Sequence, residues 1–290
     1  MTVLLLGATG FLGRHLADRL SRAMTVCAPR PRSGEVPPGL ALAWLSTSVD
    51  AADPRTIDRV LDEARPDVVV NAIGLGAGAA TDAELDAING EFPRRLAAGA
   101  VAHRARVVHV STDAVFSGAR GAYRETDATD PADAYGRSKL AGELGAPHLT
   151  IRTSFFGRNP GGRGLIEWLA SHRGPQVEGF ADYRFTGVSV VLLADLVADA
   201  MAAGRSLEGV YHVGGDAITK YELLTAAARQ LDLHVTVVPV MRGRVDRTLD
   251  ASRFFAAIGR RRPTLADSLA TLGSVRHPGP VGRCGTLSRS

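Results

Sequence analysis

Lysine is nearly absent from this chain: of 34 basic residues only Lys139 and Lys220 are lysines, and 32 are arginines. Chemistry that needs a primary amine therefore has two candidates. Cysteine is just as scarce. Cys27 and Cys284 stand far apart, which excludes a disulfide framework and cysteine-based metal spacing, and suits a reducing cytoplasm. No metal site is expected. Aromatic residues are 6% of the chain and none interleave with the arginines near the C-terminus, so nucleic-acid binding is not expected. No window approaches 18 uncharged apolar residues; the apolar stretch 188–193 runs into Asp195 and Asp199, which excludes a membrane helix. The start, MTVLLLGATG, has no basic segment ahead of its apolar run, so no signal peptide is expected.

What remains is an ordinary globular composition, 45% hydrophobic and 22% charged over 290 residues, enough for one large domain or two unequal lobes. The net charge of +4 is uneven: residues 1–241 carry −3 and residues 242–290 carry +7. The plain explanation is a solvated C-terminal surface; the sharper one is a lobe that favours anionic small molecules. Apolar runs at 3–6, 25–28, 42–45, 68–70 and 107–110 alternate with helical spacings such as Ile57, Val60, Leu61 and Ala64. Strands alternating with helices predict a parallel sheet covered on both faces, a doubly wound α/β fold of Rossmann type. Beyond residue 150 the rhythm loosens. Helices are expected over 163–172, 192–203, 218–231 and 265–272, a strand over 210–213, a turn at 159–162 and irregular chain over 174–187. Thr219 with Glu222 forms a capping box. The expected organisation is a nucleotide-binding domain over 1–150, taking in parts of 186–215, a smaller C-terminal substrate-binding lobe over 151–273, and a disordered tail over 274–290.

Gly7, Gly10 and Gly13 lie between the first strand and the first helix, with Ala8, Thr9, Phe11 and Leu12 between them. A dinucleotide pyrophosphate needs free backbone N–H groups at a helix N-terminus and no side chain where it approaches. Gly7 permits the tight turn, Gly10 the close approach and Gly13 the packing of helix on sheet. The end of the second strand, where an acidic residue would select NAD, reads Cys27-Ala28-Pro29-Arg30-Pro31-Arg32. Arg30 or Arg32 can clamp a 2′-phosphate, so NADP(H) is favoured over NAD(H). Asp50 is placed for an adenine contact or for a helix cap.

Tyr135 and Lys139 are four residues apart and share one helix face. An ammonium beside a phenol lowers the phenol's pKa, and the phenol then exchanges a proton with a carbonyl oxygen as a nicotinamide gives or takes hydride. Thr112, at the end of the fifth strand, is placed to hold that oxygen. A surface Lys139–Glu143 pair is the structural alternative. Asn71-Ala72, after the fourth strand, and Asn89 complete the set or serve as caps. Lys220, at a helix start, is read as serving packing or solvation.

Together the segments 7–13, 111–118 and 135–143 resemble an extended short-chain dehydrogenase/reductase, and within it the dTDP-4-dehydrorhamnose reductase group of sugar-nucleotide 4-ketoreductases. Segments 151–154, 209–215, 219–224 and 246–250 agree, so the resemblance covers about residues 2–272. It implies Thr112, Tyr135 and Lys139 as the catalytic triad. It also implies a nucleoside-diphosphate sugar substrate meeting Asp113, Ala114, Phe156, Arg163, Tyr183, Arg184 and Arg247; the expected setting is the cytoplasm, as a monomer or homodimer. Two features depart from the group: Ala114 replaces the usual aromatic residue, and the loop 74–80 is glycine- and alanine-rich where it is usually polar. A nucleotide-sugar epimerase or 4,6-dehydratase is the alternative enzyme, although Ala114 stands where a dehydratase carries Glu. The third possibility is a non-catalytic NADP-binding subunit, as in the regulatory subunit of methionine adenosyltransferase, which resembles the same reductases.

Overall fold

Val3, Leu4, Leu5 and Leu6 are wholly buried, and so are Val69 and Val70: the central strands are covered on both faces, as their unbroken β-branched and aliphatic runs require. A computed structural model describes residues 1–273 except 38, 41, 52, 79, 160, 205 and 206; the tail expected over 274–290 lies outside the described residues. The first half runs β1 (Thr2–Leu6), α1 (Phe11–Ser21), β2 (Thr25–Ala28), β3 (Ala43–Trp44), α2 (Arg55–Ala64), β4 (Val68–Asn71) and α3 (Asp82–Leu85). A π-helical turn (Asp86–Glu91) leads into α4 (Phe92–Ala102), β5 (Arg106–Thr112), a 3₁₀ turn (Asp113–Val115) and α5 (Ala134–Ala141). The second half runs β6 (Leu149–Thr153), β7 (Phe155–Phe156), α6 (Leu165–Ser171), β8 (Gln176–Phe180), β9 (Tyr183–Phe185), β10 (Val188–Ser189) and α7 (Val190–Ala202). It continues through β11 (Gly209–Val213), β12 (Ile218–Thr219), α8 (Lys220–Gln230), β13 (Thr236–Val240), β14 (Val245–Asp246), α9 (Ser252–Ile258) and α10 (Leu265–Ala270).

The main sheet is parallel throughout, in the order β11-β6-β5-β4-β1-β2-β3. The chain winds from β1 towards β3 on one side and from β4 towards β11 on the other. The switch point between β1 and β4 opens a crevice at the carboxyl ends of the strands, where ligands of doubly wound folds bind. One face is covered by α1 and α7, with Leu16, Leu20, Leu193 and Val197 packed on Val3, Leu5 and Val70. The other carries α2 and α4, with Val60, Leu61, Phe92 and Leu96 on Leu4, Leu6 and Val69. A third core lies outside the sheet, around Phe156, Ile166, Leu169, Phe185, Leu223 and Leu224.

Two expectations need correction. The stretch 174–187 is not irregular: Gln176–Phe180 pairs in parallel with β13, and Tyr183–Phe185 lies between β12 and β14. These strands are short and mostly paired far along the chain, so no local periodicity announces them. The helix expected over 218–231 begins only at Lys220, because Ile218 and Thr219 pair antiparallel with Phe185 and Arg184. The capping box is present: Thr219 Oγ1 accepts from the Glu222 N–H at 3.0 Å, and the Thr219 N–H donates to Glu222 Oε2 at 2.7 Å.

Candidate active site

The turn after β1 is built for a close-lying ligand. Gly7 has φ of +80°, and a Cβ there would stand 2.9 Å from the Ala72 carbonyl carbon. A Cβ on Gly13 would fall 1.9 Å from the Gly7 carbonyl oxygen, so α1 lies directly against the turn. Gly10 is the extended residue at the N-terminus of α1, leaving the first helical N–H groups clear of side chains. Beside the turn lies a cavity of about 220 Å³ lined by Thr9, Pro29, Arg30, Arg32, Trp44 and Val49. The indole Nε1 of Trp44 is buried without a hydrogen-bond partner. A glycine cradle, two arginines and an unpaired buried donor fit the adenosine and phosphates of a dinucleotide. Asp50 lies by this cavity, but its carboxylate faces Arg32 Nη2 at 3.3 Å.

The carboxyl ends of β4 and β5 form the next wall. Asn71 Nδ2 meets His109 Nδ1 at 3.1 Å, and the Ile73 N–H donates to Asn71 Oδ1 at 3.1 Å, which sets the turn through Ala72. His109 is fully buried, and burial together with the Lys139 charge holds it well below the usual histidine range, hence neutral. The next loop is fixed by Asn89. Its Nδ2 donates to the Leu75 carbonyl at 3.0 Å and to Ser138 Oγ at 3.1 Å, and its Oδ1 accepts from the Leu75 N–H at 2.9 Å. Asn89 sits inside the π-helical turn, whose extra residue aims it at α5. It is a clamp between loop and helix, not a cap.

Helix α5 begins where Asp133 accepts from the Gly136 N–H at 2.7 Å. A Cβ on Gly136 would stand 2.3 Å from the Ala114 carbonyl oxygen, so only glycine lets the helix start reach the end of β5. That contact brings Tyr135 to Thr112. Lys139, one turn on, is buried and donates from Nζ to the Val110 carbonyl at 2.7 Å.

The electrostatics differ from the expected ammonium–phenol pair. Tyr135 is pushed above the ordinary tyrosine range by burial, then by Asp113 and Asp133, while the Thr112 hydroxyl and Arg247 act the other way. Lys139 is not among the charges acting on it, because its ammonium is turned into the strand. Burial lowers Lys139 to about 8, and Glu143 partly offsets this. The alternative Lys139–Glu143 surface pair is absent too. Glu143 is buried and takes Arg152 through both oxygens at 2.8 and 2.7 Å, and Ser111 Oγ at 2.7 Å.

On the lobe side, Asp113 is buried beside Thr112, whose Oγ1 lies 3.3 Å from its Oδ1. Burial raises Asp113 to about 6 against the pull of Arg247, Thr112 and Lys220. Ala114 is buried below it. Phe156 and Tyr183 line a cavity of about 260 Å³ with Phe11, Ser154, Gly157 and Lys220. Arg247 reaches the Tyr183 hydroxyl at 3.4 Å and Asp133 at 4.0 Å. Arg184 and Arg163 do not join them. Arg184 alternates with Tyr183 along β9, is half exposed and pairs with Asp246 at 3.5 Å. Arg163 is exposed on the turn before α6, where its carbonyl accepts from Asn159. Lys220, read as a packing residue, stands in the cavity wall with its Nζ 3.6 Å from the Tyr183 ring centroid. Its only signal in the sequence is the scarcity of lysine.

A sequence profile described as the RmlD substrate binding domain matches residues 1–253. The chain belongs to that family. A dTDP-4-dehydrorhamnose reductase of Burkholderia thailandensis is 36% identical over 73% of this chain and 72% of its own length. A probable dTDP-4,6-dihydroxy-2-methyloxan-3-one 4-ketoreductase of Streptomyces antibioticus is 34% identical over 80% of this chain and 78% of its own. Among solved structures, a dTDP-4-dehydrorhamnose reductase of Bacillus anthracis in complex with NADP shares the fold, with a TM-score of 0.76 and 21% identity, covering 94% of this chain and 98% of that one. The RmlD-family fold of this chain is thus the doubly wound α/β architecture expected from its strand and helix pattern. Among the described residues no helix is long and apolar enough to cross a membrane, and no group of three or more His, Cys, Asp and Glu side chains is arranged to hold a metal ion.

Proposed function

We propose that this chain is a cytoplasmic oxidoreductase that uses NADPH, with NADH as the weaker donor, to reduce the 4-keto group of a nucleoside-diphosphate 4-keto-6-deoxy sugar. The observation that carries the proposal is the meeting of Thr112, Tyr135 and Lys139 at the carboxyl end of β5, beside the glycine turn. The names of the Burkholderia and Streptomyces relatives and the NADP complex of the Bacillus neighbour point the same way. Gly7, Thr9, Gly10, Phe11, Leu12 and Gly13 would hold the pyrophosphate, Arg30 and Arg32 the 2′-phosphate, and Asn71 and Ala72 the nicotinamide side. Arg32 would exchange its exposed contact with Asp50 for the phosphate. The nicotinamide, when bound, supplies the hydride.

The chain's own residues supply the proton and the orientation. Thr112 donates to the sugar carbonyl oxygen and holds it in line with Tyr135. The raised pKa of Tyr135 keeps the phenol protonated at neutral pH, so it enters a reduction as the acid and gives its proton to the new alkoxide. Lys139, one helical turn away, would steady the phenolate left behind only by turning its ammonium from the Val110 carbonyl towards Tyr135. Elimination needs a second acid/base residue after Asp113. Ala114 has none, which disfavours the dehydratase alternative.

The test is loss of NADPH absorbance with a panel of nucleoside-diphosphate 4-keto-6-deoxy sugars, on the wild type and Tyr135→Phe. The expected result is turnover that Tyr135→Phe cuts about 10²- to 10⁴-fold, the usual worth of a positioned acid, with no change in melting temperature. Turnover without added NADPH would favour an epimerase. Undiminished function in Tyr135→Phe would favour the non-catalytic subunit.

A further inference from the structure

The wall of the lobe carries two cations whose hydrogen-bonding capacity the described residues use only in part. Lys220 is half-buried, and its ammonium rests on the face of Tyr183 at 3.6 Å, with Phe180 at 5.6 Å. These ring contacts are all its close partners among the described residues. Arg247 meets the other end of the same tyrosine: Nη1 lies 3.4 Å from the hydroxyl, and Nε is buried with no hydrogen-bond partner. Its one acidic neighbour within reach, Asp133, is 4.0 Å away and half exposed. Asp246, next in the chain, is occupied by Thr248 and Arg184. Tyr183 is thus held between two cations that repel one another; burial and Arg247 weigh against the charge on Lys220, and Asp113 partly offsets them.

A protein rarely leaves such donors unused. Packing alone does not call for an ammonium at the Lys220 position, since an aliphatic chain of the same length would cover Tyr183 as well. Neutralising the buried Asp113 does not use these donors either, because no carboxylate comes within salt-bridge distance of the ammonium. The cavity under Lys220 is otherwise lined by Phe11, Phe156, Phe185, Leu165 and Leu223. The site is therefore apolar with positive charge on one side, a setting in which an anion gains far more than it would in water. Lys220 and Tyr183 in this wall both interact electrostatically with Asp113, the neighbour of Thr112, which turns the cavity towards the place where Thr112 and Tyr135 take the sugar carbonyl.

We infer that Lys220 is a specificity-determining residue that works with Arg247 across Tyr183 to hold the diphosphate of the nucleotide-sugar. The inference rests on the substrate class proposed above. Lysine suits the role because a compact charge on a flexible stem can follow a phosphate as the sugar turns over the nicotinamide.

The experiment is titration calorimetry on the full chain saturated with NADP. The probes are dTDP, UDP and GDP, together with the matching nucleosides. The variants are Lys220→Met, which keeps the stem on Tyr183, and Lys220→Arg, which keeps the charge. Lys220→Met is expected to weaken the best nucleoside diphosphate about tenfold or more and to leave its nucleoside and NADP unchanged. Lys220→Arg should stay within about threefold of wild type. In turnover Lys220→Met should raise KM with little change in kcat. Three outcomes overturn the assignment: a diphosphate bound as tightly by Lys220→Met as by wild type, an equal loss for the nucleoside, or a loss for NADP. Should any of these occur while the wild type still oxidises NADPH with the keto-sugars, the reductase proposal stands and only the role of Lys220 falls.

Discussion

The two walls of the cleft are built in different ways. On the sheet side most polar groups near the reaction are buried and paired, the His109 Nε2 excepted: Lys139 with the Val110 carbonyl, Asn71 with His109 Nδ1, Asn89 with Leu75 and Ser138, and Glu143 with Arg152 and Ser111. On the lobe side the groups are under-used and, Arg247 apart, half exposed: Lys220 on an aromatic ring, Arg247 with an unpaired Nε, Arg184 and Arg242 in open ion pairs. The sheet side is preorganised for one set of proton transfers. The lobe side is left free to gain its contacts from the ligand. A catalytic centre must keep fixed distances, whereas a recognition surface profits from donors that become satisfied only on binding.

The sharpest way to break this contrast is at Glu143. Its carboxylate is the counter-charge of Arg152, both are nearly inaccessible, and Arg152 also stacks on Phe116 at 5.2 Å. Glu143→Ala leaves a buried guanidinium unpaired, which costs about 3–5 kcal/mol. The melting temperature should fall by on the order of 10 °C, read by thermal unfolding. A shift of a degree or two would mean that the sheet-side network is loosely held, and the contrast with the lobe would fail.

A smaller effect is expected at Asp113, which stands where the two walls meet. Its pKa is raised from the ordinary carboxylate value to about 6, so ionisation is less favourable in the folded protein than in the unfolded chain. The folded state therefore binds the proton more tightly. Stability from this group is present below about pH 4 and is lost as pH rises towards 6. Asp113→Asn removes the penalty. At pH 8 the variant should be more stable than wild type by about 1–3 kcal/mol, with the difference vanishing near pH 4, and it should turn over keto-sugar less well. Paired melting curves at the two pH values decide it. Equal stabilisation at both would mean that Asp113 is not strained by its surroundings.

The same division governs what the sequence makes legible. Gly7, Gly10, Gly13, Thr112, Tyr135 and Lys139 sit in short segments whose spacing is dictated by one turn, one strand end and one helical turn, so the local pattern carries the geometry. The covering of the sheet on both faces follows from the uninterrupted apolar runs, whereas the strand order is seen only in the fold. The lobe is assembled from two- to five-residue strands that pair β8 with β13 and β9 with β14, more than 50 residues apart, and nothing local encodes which neighbours they find. The family resemblance implies Arg184 at the substrate, whereas alternation along β9 turns it away from Tyr183. Lys220 carries no sign of a site in its local sequence, because a helix start alone accounts for it. Even on the sheet side the expected Lys139–Tyr135 pairing missed Val110, because a backbone carbonyl has no signature in a sequence. Glu143 and Arg152, nine residues apart on different elements, were equally invisible as a pair.

The smallest effect belongs to the lobe surface, and it tests the other half of the contrast. Arg242 meets Glu178 at 2.5 Å, shorter than the Glu143–Arg152 contact at 2.7 Å, yet both its side chains are more than half exposed. If distance governed stability, Arg242→Ala would cost at least as much as Glu143→Ala. Exposed ion pairs, however, give back in side-chain ordering and salt screening most of what they gain. The expected shift in denaturant midpoint is thus a small fraction of that for Glu143→Ala, and it should shrink further between low salt and 0.5 M salt. A loss as large as that for Glu143→Ala would show that the lobe is held together by its surface charges. The free donors of Lys220 and Arg247 would then belong to a rigid wall, not to one waiting for a ligand.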